Sequence, residues 1–364
     1  MAGLLNTPER TQTMSFTRPA PTSPGTAPMS TPAPRLDLSP GAPPILHVPT
    51  PAPAELPAWA AAQRHTLHGL VTEHGAVLVR GLGLCDSAQA AAVFGQLVPA
   101  LMADTETFAP RQTHAPGVYS STVWPANQPM CMHHELSYTH SPPGLMLLAC
   151  LTAPAEGGAT ALADSATVLD ALPPELVHRF EEEGWLLTRT YNDDIGASWT
   201  EAFGTEDPAA VENYCRANSI EFTWQGDGSL RTSQRRPAVV RHPVTGRRCW
   251  FNQIAFLNEW TLAPEIREYL VDVYGPEALP FNTRFGDGAP ISEDMVELIN
   301  TVYAEHTVRE PWQSGDLMLI DNIRTAHSRE AFEPPREVLV AMAAPHAPAS
   351  LPPTPTAASE GSTR

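Results

Sequence analysis

Lysine is absent from the 364 residues: all 22 basic side chains are arginine, set against 40 aspartates and glutamates. Coding bias accounts for missing lysine better than chemistry does. The net charge of −18 leaves no basic patch to replace the counterions of a phosphate backbone, which excludes nucleic acid as a partner. Cysteine is scarce, with five residues (85, 131, 150, 215 and 249) and no Cys-x-x-Cys pair. That spacing argues against a zinc ribbon, and the odd number fits reduced thiols in the cytoplasm, the expected location. No stretch reaches the ~18–20 consecutive apolar residues of a membrane span. The opening Met1-Ala-Gly-Leu-Leu runs into polar, Pro-rich sequence instead of an apolar segment, so no secretory signal is expected.

Aromatic residues are thin at both ends, where Pro, Thr, Ser and Ala dominate. Such segments bury too little apolar surface to offset their ordering entropy. Residues 1–45 and 347–364 are therefore expected to be disordered tails around a single folded domain, 46–346. Within it, helical spacing marks Pro57 to Glu73, Ser87 to Met102 apart from Pro99 near its end, Ala166 to Gly184, Ala263 to Tyr274 and Ser292 to His306. Strands are expected over Gly75–Gly81, Met130–Tyr138, Leu145–Leu151, Gly315–Asp321 and Val338–Met342. Residues 192–218 read as irregular with one short helix. Asp227-Gly228 and Thr245-Gly246 are hairpin turn signals. Strands at both ends of the domain with helices between them suit a jelly-roll β-barrel core.

One triplet stands out, His133-His134-Glu135. Side chains alternate along a strand, so a His and a carboxylate two apart point the same way. Chance supplies one or two His-x-acid triplets in a chain with 13 His and 40 acidic residues, so the triplet needs support. A distant His327 can complete a three-point cap on one metal ion, and Arg336 follows it by nine residues. Two His and one carboxylate on one face suit non-haem Fe(II), with positions left open for a co-substrate and for oxygen. An arginine beside that iron can anchor a dicarboxylate. The pattern points to an oxygenase.

The surrounding residues carry a more specific likeness. Met132-His-His-Glu-Leu-Ser-Tyr, then Gly157-Gly-Ala-Thr160 and Asp164, then Asp321-Asn-Ile-Arg-Thr-Ala-His327 through Arg336, resemble the TauD/TfdA family of Fe(II)/2-oxoglutarate dioxygenases. Val118-Tyr-Ser-Ser-Thr and Trp250-Phe-Asn-Gln extend the resemblance over roughly residues 55 to 345. Within the family it is nearest the branch of syringomycin-type aspartyl β-hydroxylases. The resemblance implies a mainly β fold with peripheral helices around a double-stranded β-helix core. It also implies His133, Glu135 and His327 as iron ligands and catalytic residues, with Arg336 and Thr160 on the distal carboxylate of 2-oxoglutarate. Glu135 departs from the commoner Asp, as in several hydroxylases of the amino-acid-modifying branch.

Other residues stay open. His134 is expected to face away from the site and to pack. Arg329 is either a second anion-binding group or a surface ion pair. Asn252 is a candidate substrate contact, with a backbone-satisfying role as its alternative, and Arg111 is a further substrate candidate. The expected function is hydroxylation of an unactivated C–H, at the β-carbon of an amino acid that is free or tethered to a peptidyl carrier protein, in peptide natural-product biosynthesis. Oxygenation of a small sulfonate or aryloxy acid in catabolism is the rival enzyme reading. A non-catalytic jelly-roll protein that binds a metal or ligand is the rival of another class.

Overall fold

The structure is a computed structural model that describes residues 34–109, 111–192 and 195–347. Most of the expected N-terminal tail and nearly all of the C-terminal one lie outside these residues. Strands β1 (Arg35–Asp37) and β2 (Ile45–His47) pair antiparallel, so regular structure begins ahead of the expected boundary at residue 46. Helix α1 (Leu56–His74) follows and buries Leu56, Ala60, Leu67 and Val71 on one face. Gly75 ends it at φ 86, a conformation open to glycine, and its N–H donates to the Val71 carbonyl. After strand β3 (Ala76–Arg80), helix α2 (Ser87–Leu97) starts on Asp86, whose side chain accepts from Gln89 N–H. The helix stops short of the expected Met102 because Pro99 keeps Val98 extended.

Strands β4 (Thr113–Ala115), β5 (Val118–Ser120) and β6 (Met130–His133) lead to the long β7 (Pro143–Thr152) and to β8 (Thr160–Asp164). Here the sequence reading needs correction. The strand expected to reach Tyr138 ends at His133, and the chain turns with Leu136 at φ 50. Strand alternation therefore does not align Glu135 with His133. The helix expected over 166–184 is two helices, α3 (Ser165–Ala171) and α4 (Pro174–Glu183), because Pro173-Pro174 cannot continue the first.

After strand β9 (Trp185–Tyr191), the segment expected to hold one short helix holds two, α5 (Trp199–Phe203) and α6 (Pro208–Ala217). Both hairpins form where the turn signals placed them. One joins β10 (Glu221–Trp224) to β11 (Leu230–Arg236), the other β12 (Val239–Arg241) to β13 (Arg248–Trp250). Helix α7 (Pro264–Tyr274), strand β14 (Phe281–Phe285) and helix α8 (Glu293–Glu305) come next. Strands β15 (Thr307–Val308), β16 (Leu317–Asp321), β17 (Thr325–Arg329) and β18 (Glu337–Pro345) complete the order.

Two sheets form the core: eight strands in the order β1-β2-β3-β16-β7-β18-β5-β4, and four in the order β15-β8-β17-β6. This is the double-stranded β-helix expected for the fold class. Strand β7 shows how it is filled. Leu145, Leu147 and Ala149 pack with α1 and α2, while Met146, Leu148 and Cys150 pack inward with Leu162, Val338 and Val340. Both faces of β7 are buried, which is why its sequence is a continuous apolar run instead of an alternating one. A separate sheet, β10-β11-β9-β14, packs with α4 and α8 in a further cluster around Trp185, Trp250 and Phe285.

Candidate active site

The two distant histidines meet because β17 pairs antiparallel with β6, and His327 stands directly opposite His133 in that register. Their ring centroids are 4.4 Å apart. Glu135 enters from the turn after β6, with its Oε2 3.8 Å from His133 Nε2 and 3.6 Å from His327 Nε2. The three ligand atoms lie within 4.8 Å of one another, and all three residues are buried.

The protonation states fit a metal. His133 Nδ1 is 2.8 Å from the Cys131 carbonyl, so it carries the proton and leaves the Nε2 lone pair aimed into the site. Burial, then repulsion from His133, lowers His327 to about 4 and keeps it neutral. Burial alone would raise Glu135. The Arg111 guanidinium outweighs it and holds the carboxyl well below its usual range. A neutral His327 and an ionised Glu135 are the forms in which these two residues bind a divalent metal. Arg111 also decides which oxygen is offered, because its Nη2 donates to Oε1 at 2.7 Å and leaves Oε2 to face the histidines.

Thr160 of β8 pairs with Arg329 of β17, which sets both beside the histidines. Arg336 completes this corner, its Nε donating to the Gly158 carbonyl at 2.9 Å. Thr160 Oγ1 accepts from Trp312 Nε1 at 3.2 Å, which leaves its own hydroxyl proton to donate elsewhere. Thr160, Arg329, Arg336 and His327 line a small slot of about 60 Å³. Burial, reinforced by Arg329, lowers Arg336 to about 10, so it remains charged at neutral pH. Besides Arg111, the buried Arg329 and the half-buried Arg336 line this slot, and no carboxylate forms an ion pair with either among the described residues. A buried charge of this kind calls for an anion.

On the other side of His133 and Glu135 lies a larger chamber of about 360 Å³, lined by Asp104, Arg111, Trp124, Gln253, Phe256 and Phe281 among others. Arg111, Thr122, Met130, His133 and Glu135 line both cavities, so the two meet at His133 and Glu135, with His327 on the slot side.

The other sequence candidates divide. Arg111 reaches the site, as a partner of Glu135, of Thr122 Oγ1 at 2.9 Å and of Asp104 at 3.7 Å. Arg329 is not a surface ion pair: it is buried and donates to the carbonyls of Trp124, Pro125 and Gln128, with its Nε unpartnered. It lines the slot and not the chamber, so a direct substrate contact is not its place. Asn252 is likewise corrected. Its Nδ2 donates to the Ala238 carbonyl and its Oδ1 accepts from Ile254 N–H, so it serves the backbone away from either cavity. The adjacent Gln253 is the one that lines the chamber. His134 faces away as expected, held by the Asn322 carbonyl at 2.5 Å and by Ser165 Oγ at 3.0 Å. Asp104 and Asn322 were the residues that sequence reading missed as parts of the site. Asp104 lies in aperiodic sequence without any motif. The importance of Asn322 depends on a contact 187 residues away.

Residues 39–342 match the family described as taurine catabolism dioxygenase TauD, TfdA family. The chain belongs to this family. It is a 2-oxoglutarate-dependent dioxygenase that uses Fe(II), 2-oxoglutarate and oxygen, and not the non-catalytic jelly roll that the sequence left open. Among curated relatives, the dapdiamide synthesis protein DdaC of Enterobacter agglomerans is 35% identical over 285 residues, covering 77% of this chain and 85% of that one. A clavaminate synthase-like protein of Arabidopsis thaliana is 30% identical over 318 residues, covering 82% and 91%. A putative alpha-ketoglutarate-dependent taurine dioxygenase from Burkholderia xenovorans shares the fold at a TM-score of 0.50 and 18% identity, covering 87% of this chain and 91% of its own. No helix among the described residues is long and apolar enough to cross a membrane.

Proposed function

We propose that His133, Glu135 and His327 hold the Fe(II), that Arg336 and Thr160 seat the distal carboxylate of 2-oxoglutarate, and that the enzyme hydroxylates an unactivated C–H of an amino-acid-derived small molecule. The observation that carries this reading is the meeting of two cavities at His133 and Glu135. The basic slot suits a dicarboxylate, and the chamber suits the molecule to be oxidised. With iron, 2-oxoglutarate and oxygen bound, the site supplies oxidative decarboxylation coupled to C–H oxidation.

The protein's own contribution is positional. Arg111 keeps one oxygen of Glu135 occupied, so the carboxylate offers a single donor atom and coordination positions stay free for co-substrate and oxygen. Phe256 stacks on His133 at 4.5 Å and fixes that ring. Arg111 Nη1 is buried without a partner and lines the chamber, which supports a hydrogen-bond acceptor, such as a carboxylate, on the substrate. Similarity to a dapdiamide synthesis protein supports a biosynthetic role over a catabolic one, and the proposed target is the β-carbon of an amino acid. Whether that amino acid is free or carried on a peptidyl carrier protein belongs to the test.

The test starts with anaerobic Fe(II) titration of wild type and of His133→Ala, Glu135→Ala and His327→Ala. Wild type is expected to bind one equivalent, and each variant to lose most of that affinity. Undiminished binding by all three variants would sink the assignment. Mass spectrometry of aminoacyl-carrier and free amino acid mixtures then looks for a gain of one oxygen matched to succinate. Tight coupling to a sulfonate or aryloxy acid instead would replace the peptide reading with the catabolic one.

A further inference from the structure

We infer that the substrate carries an ammonium group paired with Asp104 and an apolar body seated among aromatic rings, so that it is not a compact diacid of the aspartate type. The inference rests on the site proposed above and deepens it. Asp104 lines the chamber with only 6% of its side chain exposed. Its backbone N–H donates to the Tyr119 hydroxyl at 3.0 Å, which fixes the residue in place. Its carboxylate is nevertheless poorly served. Among the described residues no donor hydrogen-bonds to it, and the nearest cation, Arg111 Nε, is 3.7 Å away. Arg111 is already committed at closer range to Glu135 and Thr122. A buried carboxylate without a hydrogen bond is costly unless something completes it. Burial accordingly outweighs Arg111 and raises Asp104 to about 6. A cationic N–H donor arriving through the chamber supplies the missing partner.

The remaining walls say what the rest of the molecule is. Phe108, Trp124, Phe256, Leu257, Leu262 and Phe281 line the chamber. Phe108 is held edge-on to both Tyr138 and Phe281, with centroids at 5.2 and 5.7 Å, so this wall is preformed. The volume of about 360 Å³ exceeds what a four-carbon diacid fills and falls in the range, about 300–1,000 Å³, of pockets for larger organic ligands. The arginines leave little to clamp two carboxylates. Arg329 is tied to three carbonyls, and Arg111, flanked by Glu135 and Asp104, keeps only Nη1 free.

The experiment uses the full chain loaded with Fe(II) and 2-oxoglutarate without oxygen, titrated calorimetrically with three probes that share one body. These are 3-phenylpropylamine, 3-phenylpropan-1-ol and 3-phenylpropanoate, with L-aspartate as a fourth. The amine is expected to bind at least tenfold tighter than the alcohol and the carboxylate, and aspartate more weakly still. Asp104→Asn is expected to erase the preference for the amine over the alcohol. Equal binding of amine and alcohol, a preference for either acid, a preference that survives in Asp104→Asn, or no binding of any probe would each overturn the inference. The wild-type comparison stands even if the variant does not fold. Fe(II) and 2-oxoglutarate titrations of the same samples report separately on the site reading, so failure of the one is distinguishable from failure of the other.

Discussion

Asn322 grips the backbone of Glu135 from both sides. Its Oδ1 accepts from the Glu135 N–H at 2.8 Å, and its Nδ2 donates to the Glu135 carbonyl at 2.9 Å and to the Pro143 carbonyl at 2.8 Å. The clamp is needed because β6 has already ended at His133, so no ladder holds Glu135 in place. Asn322→Ala would leave three buried backbone groups without this partner, both of Glu135 and the Pro143 carbonyl, at about 1–3 kcal/mol each. The expected outcome is a folded but less stable protein whose Fe(II) affinity falls by about 10–100-fold, the usual cost of losing support behind a ligand. Unchanged Fe(II) affinity in a folded Asn322→Ala protein would remove this role.

How far the site was legible follows from the kind of signal each residue left. His133, Glu135, His327, Thr160 and Arg336 could be singled out because their types, order and spacing together match a family pattern, and the fold brings all five to one slot. The reason offered for His133 and Glu135 was nonetheless mistaken, since a turn and Asn322 replace the strand alternation invoked for them. Hairpins were readable from Asp-Gly and Thr-Gly, where local backbone preference decides the structure. Helix ends were misjudged wherever a proline overruled the apolar periodicity, at Pro99 and at Pro173-Pro174. Asn252 and Gln253 mark the limit. Only tertiary packing decides which of two neighbouring amides faces the chamber.

Arg336→Ala is expected to weaken 2-oxoglutarate far more than Fe(II). It removes one end of a charge-assisted pair, a loss of about 2–5 kcal/mol when the partner anion is left buried. Thr160→Ala removes one hydroxyl hydrogen bond to that carboxylate and should cost less, about 1.5–3 kcal/mol in the same direction. Apparent affinities for 2-oxoglutarate, measured by anaerobic titration at fixed Fe(II), check both. An Arg336→Ala protein that binds 2-oxoglutarate as wild type does would refute the assignment.

Gly158 makes room for Arg336. It sits at φ 68, and a Cβ there would lie 2.8 Å from Pro154 Cγ, 2.9 Å from Phe332 Cβ and 3.0 Å from Arg336 Cδ. Gly158→Ala is therefore strained in backbone and in packing at once, and the displacement falls on the arginine that lines the slot. The expected result is a stability loss of about 1–3 kcal/mol and a raised apparent constant for 2-oxoglutarate. A stability loss without any change in that constant would show that Arg336 does not depend on this glycine.

Asp104 supplies a test through pH. Its carboxyl is raised to about 6 from 3.8, first by burial. The folded protein therefore holds a proton that the unfolded chain has released between those values. Stability contributed by that proton is full below about 4 and is lost as pH rises to about 6. Asn cannot ionise, so Asp104→Asn should match wild type near pH 4 and exceed it increasingly up to pH 6. The advantage should then stay level, at no more than about 3 kcal/mol for a shift of this size. Loss of the Asp104–Arg111 attraction at 3.7 Å will trim the gain. Melting curves of the ligand-free proteins at pH 4, 5, 6 and 7.5 measure it. A residue that costs the empty protein stability and recovers it only with a ligand is kept for that ligand. An Asp104→Asn protein no more stable than wild type at pH 7.5, or equally stabilised at every pH, would show that the carboxylate is already satisfied without substrate.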